Sequence, residues 1–188
     1  MLRALQVGVA ATMLTLGAGC SSPEVDVPDR LLQPDDLPAV EKVDVVDRSA
    51  VSRVGCAGLA LEYNLTITDG ADATAVYTLR SGDEVRSAVQ GTRLTATGID
   101  HTLEELRSMI DRCESTSPHE FTSLDLPGDA VGFRDTADSS RGAVVTERAY
   151  APIDDRSAVV VTTIHRGDGE AEVSVAKLVA TALRRAEG

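Results

Sequence analysis

The 188-residue chain contains no tryptophan, and its aromatic side chains are limited to Tyr63, Tyr77, Tyr150, Phe121 and Phe133. That poverty excludes a stacking platform for single-stranded nucleic acid. Basic residues are also scarce, 18 against 30 acidic ones, for a net charge of −12. Lysine occurs only at Lys42 and Lys177. Such a surface repels nucleic acid and anionic lipid headgroups, so neither is expected as an electrostatic partner. There are three cysteines, no Cys-x-x-Cys, and three scattered histidines, His101, His119 and His165. No metal site is expected from such spacing, and no cofactor motif is present. The G-x-S-x-G, H-E-x-x-H, P-loop and G-x-G-x-x-G patterns are all missing. No apolar run reaches the roughly 18 residues that span a bilayer.

The first twenty residues carry the strongest signal. Arg3 is followed by an apolar stretch from Ala4 to Leu16, and then by Gly17-Ala18-Gly19-Cys20. A positive start, a short apolar run of about 13 residues and a small-residue exit are the parts of a secretory signal. The exit resembles the lipobox of bacterial lipoproteins, which implies a diacylglycerol thioether on Cys20 and a mature chain that begins there. Gly17 departs from that pattern, which prefers leucine three residues before the cysteine; Leu16 stands one step earlier. Two or more acyl chains hold a protein stably at a membrane. The expected organisation is a signal peptide at 1–19, an acidic proline-containing tether at 20–28, and an extracytoplasmic domain at 29–188. The tether reaches about 30 Å at most, which keeps the domain near the membrane face. With Cys20 acylated, Cys56 and Cys113 remain, and outside the cytoplasm an even pair is most simply a disulfide. The loop of about 58 residues is worth about 4 kcal/mol in the chain-entropy treatment.

Along the domain, Gln33-Pro34-Asp35-Asp36 suits the first turn of a short helix, with proline early and acids at the positive end. "GLALEYNLTIT" (58–68) alternates strictly and is the clearest strand. Residues 73–80 and 84–97 flank a Ser81-Gly82-Asp83 turn and read as a hairpin. Thr102-Leu103-Glu104-Glu105 matches a capping box opening an amphipathic helix, with Leu103, Leu106, Ile110 and Cys113 on one stripe. Strands are expected at 121–126, 141–150 and 157–166, a shorter one at 130–134, and a closing helix from about 170 to 186. Runs of strands parted by few helices imply an α+β domain, a twisted antiparallel sheet of about six strands with two main helices and a short N-terminal helix.

Isolated motifs have plain readings. Ser174-Val175-Ala176-Lys177 fits S-x-x-K, but the companion elements of penicillin-binding enzymes are missing, so it reads as helix surface. His119-Glu120 lacks the second histidine of a zincin, and His101 beside Asp100 reads as a helix-start neighbour. Arg166-Gly167-Asp168 is a polar turn, Asn64-Leu65-Thr66 an idle sequon, and Asp35, Asp36 and Glu41 a solvated surface.

Several segments together resemble the extracellular sensor domain of mycobacterial PknH-type Ser/Thr kinases, which also occurs in actinobacterial lipoproteins. They are "DRLLQPDDL", a cysteine before the first long strand, "RSMIDRCEST", "GDAVGF", and a final strand pair running into an Ala- and Leu-rich helix. The resemblance implies a twisted antiparallel sheet with helices, disulfides and a cleft for an unknown ligand. The PsbP-like fold of other such lipoproteins has a similar layout. The family commonly has four cysteines and aromatics near the second; this chain has one pair and no tryptophan, so no ligand residues carry over. The expected function is a membrane-anchored, non-enzymatic ligand-binding or sensor-like module, bound to the membrane through Cys20, with a small-molecule, lipid or protein partner. A structural or protein-interaction lipoprotein is the alternative, and would show an exposed apolar patch. A hydrolase is the remote one, and would bring His101, His119 or His165 to a serine and an aspartate.

Overall fold

The computed structural model describes residues 25–46, 56, 73–91, 98–116, 120–140, 142–167 and 169–188. Its elements are β1 (Val40–Val46), β2 (Thr74–Leu79), β3 (Glu84–Gly91), α1 (Gly98–Thr116), β4 (Phe121–Ser123), β5 (Val131–Ser139), β6 (Gly142–Asp154), β7 (Ser157–Arg166) and α2 (Val175–Glu187), with a 3-10 turn at Pro34–Asp36 before them. The strands form one seven-stranded antiparallel sheet in the order β1-β2-β3-β7-β6-β5-β4. Among the described residues the fold is thus α+β with two helices.

The central strand shows why the sheet needs cover on both sides. In β7 the run Ala158-Val159-Val160-Val161 is buried throughout, 6% exposed at most. Successive side chains of a strand point to opposite faces, so an unbroken apolar run requires two packed faces. Val159 and Val161 join Ala149, Ala151, Tyr77 and Val85 in the cluster with α2. Ala158 and Val160 join Phe121, Phe133, Val131 and Tyr150 in the cluster with α1. Each helix offers one stripe: Ile99, Leu103, Leu106, Ile110 and Cys113 on α1, and Val175, Leu178, Val179, Ala182 and Ala186 on α2. Burying each Leu or Ile contributes about 1.5–3 kcal/mol.

The N-terminal segment also packs on the α2 face. Val27, Leu31, Leu32 and Leu37 are buried there, so packed residues begin at or before Val27. Ser87 Oγ accepts the Leu32 N–H at 3.2 Å, and the Tyr77 hydroxyl donates to the Leu32 carbonyl. Burial pushes that phenol well above its usual range. At the 3-10 turn, Asp36 accepts the Gln33 N–H at 2.8 Å and pairs bidentately with Arg185 of α2, both bonds at 3.1 Å. Burial acts to raise the Asp36 carboxyl, but Arg185 and the Gln33 N–H outweigh it and hold it below the usual carboxylate range.

Several expectations are corrected. Helix α1 starts at Gly98, and Thr102 lies inside it; its hydroxyl donates back to the Gly98 carbonyl at 3.1 Å and so caps nothing. The start is closed from the β6–β7 turn instead, where the Asp155 carbonyl accepts the Ile99 N–H at 2.9 Å. Helix α2 begins at Val175 rather than near Glu170, because Asp83 Oδ2 accepts the Glu172 N–H at 3.0 Å and ties that stretch to the sheet. Strand β4 stops at Ser123, whereas β5 runs nine residues to Ser139 and β6 thirteen to Asp154. Strand β1 was not among the expected strands. The segment 58–68 lies outside the described residues, as do 92–97.

Candidate functional site

The two central cross-strand rows carry polar side chains on the α2 face of the sheet, beyond the end of the helix. Register places Arg134 of β5 opposite Glu147 of β6, and Glu147 opposite Thr163 of β7. The next row holds Thr136, Val145 and His165. Asp83, in the turn before β3, reaches the end of that row. Asp83 Oδ1 lies 2.7 Å from His165 Nδ1. The two rows, with Gly169, Glu170 and Ser174 from the approach to α2, surround a pocket of about 450 Å³, and Asp83 holds His165 from behind its wall.

The electrostatics follow from burial. Asp83 and Glu147 have side chains only 7% exposed, so both carboxylates need partners. Asp83 divides its oxygens between His165 Nδ1 and the Glu172 N–H. Glu147 divides its own as well: Oε1 accepts Arg134 Nε at 3.0 Å and Nη2 at 2.5 Å, and Oε2 accepts the Val175 N–H at 3.0 Å. A carboxylate thus sits at the positive end of α2, where the helix dipole favours it. Ser174, at the N-cap, makes no capping bond through its side chain. His165 Nε2 is buried and has no hydrogen-bond partner among the described residues.

Other residues singled out in the sequence fall elsewhere. Cys20, His119, Asp168 and the sequon at Asn64 lie outside the described residues. Cys56 and Cys113 stand at disulfide distance, Cα to Cα 5.7 Å, joining position 56 to the last turns of α1. His101 is half exposed and faces Glu105 at 3.5 Å, one turn along the helix. Lys177 is exposed on the first turn of α2. His165 does meet an aspartate; among the described residues no serine hydroxyl is within hydrogen-bond reach of its Nε2. Among the described residues no group of three or more His, Cys, Asp or Glu is placed to hold a metal ion, and Asp36 is engaged by Arg185. No helix among them is long and apolar enough to cross a membrane.

Asp83, Glu147 and Arg134 were not anticipated as site residues. The signal that would have found them is Glu147-Arg148, two adjacent charges in the middle of a mostly apolar thirteen-residue strand. Arg148, on the other face, is buried and donates to Thr162 Oγ1 at 3.0 Å. Asp83 was read as turn chemistry alone. No protein-family description, no curated protein and no solved structure matches this chain.

Proposed function

We propose that the chain is a membrane-anchored, extracytoplasmic lipoprotein whose single domain binds a small polar ligand without transforming it. The observation that supports this reading is the pocket of about 450 Å³ where the sheet runs out from under α2, floored by Arg134, Glu147, Thr163 and His165. Concave sites with a few convergent polar groups are the usual places for small-molecule binding. The lining favours a polar ligand over a lipid, because the apolar residues of this face pack against α2 and the N-terminal segment. The interaction-surface alternative is less favoured: among the described residues, the large apolar side chains that stay exposed are Val25 and Val46, one at each end of the first described segment. The hydrolase reading has the His165–Asp83 pair in its favour, but lacks a serine hydroxyl on Nε2.

Anchoring rests on the signal, the lipobox resemblance and Cys20, and an oxidised Cys56–Cys113 pair suits that compartment. The similarity to kinase sensor domains agrees with a binding role. Mass spectrometry of the protein released gently from its own envelope tests both parts. The expected spectrum has a mature chain starting at a diacylated Cys20 and a non-covalent small-molecule adduct. A chain with an unmodified N-terminus removes the anchor; a bare chain removes the ligand.

A further inference from the structure

The features of this pocket that attract anions are already engaged. A helix N-terminus and a guanidinium both favour negative charge. Here the two converge on one internal carboxylate, since Glu147 takes Arg134 on Oε1 and the Val175 N–H on Oε2. Glu147 therefore occupies the position an anionic ligand would seek. A second anion would have to displace a buried, doubly bonded side chain.

Two of the remaining groups are acceptors. Glu170 lines the pocket, is exposed, and forms no ion pair among the described residues. His165 supplies the second. A carboxylate only accepts hydrogen bonds, so Nδ1 carries the hydrogen shared with Asp83, and in the Nδ1–H tautomer Nε2 presents a lone pair. That atom is buried and unpartnered. It lies at the pocket wall: a Cβ on Gly169, itself a lining residue, would sit 4.0 Å from it. A buried acceptor without a donor is costly, and a ligand N–H or O–H removes that cost. The hydroxyls of Thr136, Thr163 and Ser174 serve as donor or acceptor.

We infer that the pocket selects a small ligand carrying a cationic amine among hydroxyl groups, with the amine facing Glu170 and a donor reaching His165 Nε2. This inference rests on the pocket being the ligand site. Amino sugars and hydroxylated amines have that chemistry; sugar phosphates and carboxylic acids do not.

Three probes on one sugar scaffold separate the classes: glucosamine, glucose and glucose 6-phosphate, titrated against the full mature chain while the His165 ring resonances are followed by NMR. The expected order of affinity is glucosamine, then glucose, then glucose 6-phosphate. Glu170→Gln, a change at an exposed position, should weaken glucosamine about threefold more than it weakens glucose, the size of a partly screened ion pair. Glucose or glucose 6-phosphate binding as tightly as glucosamine overturns the amine class while keeping the pocket as a ligand site. Failure of all three to move His165 overturns the class as well. In that case the adduct retained by envelope-purified protein decides the wider reading: a retained molecule without a basic nitrogen leaves the binding function standing, and a bare chain removes both.

Discussion

Asp83 is the residue on which the site's geometry depends. It joins the β2–β3 turn to the end of β7 through His165, and to the approach of α2 through the Glu172 N–H. Asp83→Ala leaves both groups without a partner in a buried setting. We expect a loss of about 2–3 kcal/mol in urea unfolding, with the His165 ring resonances displaced. Asp36 makes a prediction of a different kind. Its folded-state carboxyl is held below the ordinary value, so its contribution is present above the unfolded value of about 4 and disappears as pH falls through the folded one. Asp36→Asn should therefore be less stable than wild type at neutral pH, and the gap should close in acid. A gap independent of pH would show that the Arg185 pair does not act through charge. Neither residue's role was legible in the sequence. Asp83 sits where "RSGDE" announces a turn, and the turn explains the residue without any reference to a strand end eighty positions away.

At the scale of elements, the β5–β6 pairing fixes the row that carries Arg134 and Glu147. At Gly132 the surroundings leave no room for a side chain. A Cβ there would collide with the Arg148 carbonyl and lie 2.7 Å from Leu126 Cδ1. Gly132→Ala should cost about 1–3 kcal/mol by overpacking and shift amide resonances along β5 and β6. Wild-type stability in this variant would mean that the strands separate without penalty. The elements read correctly from sequence were those with strong periodicity, namely β2, β3, β7 and the stripe of α1. Those misread were set by distant partners. The start of α1 is closed by the Asp155 carbonyl rather than by Thr102, and α2 is delayed by Asp83. Strand β1 escaped notice because "VEKVDVV" has a half-polar pattern and lies at the edge of the sheet among the described residues. The expected order of three strands, a helix, further strands and a helix agrees with the described one; β1 is a strand that was not expected, and the alternating segment at 58–68 lies outside the described residues.

For the whole molecule, two clusters on opposite faces of one sheet make the core, and the Cys56–Cys113 pair spans 57 positions of chain. Replacing both cysteines with serine should lower stability by about 4 kcal/mol in guanidinium unfolding, with reductant reproducing the loss in wild type and adding nothing in the variant. Fold class was legible because alternation and helical stripes are local. The pocket was not, because it arises from register: Arg134, Glu147 and Thr163 become neighbours only when three strands align. The central claim is that this aligned polar row serves a ligand. A crystal structure of the protein purified from its own envelope tests it most directly. The account requires ordered density for a small molecule in the pocket, touching Glu170 and within hydrogen-bond distance of His165 Nε2. Water alone in that space, with Nε2 still unpartnered, would contradict it.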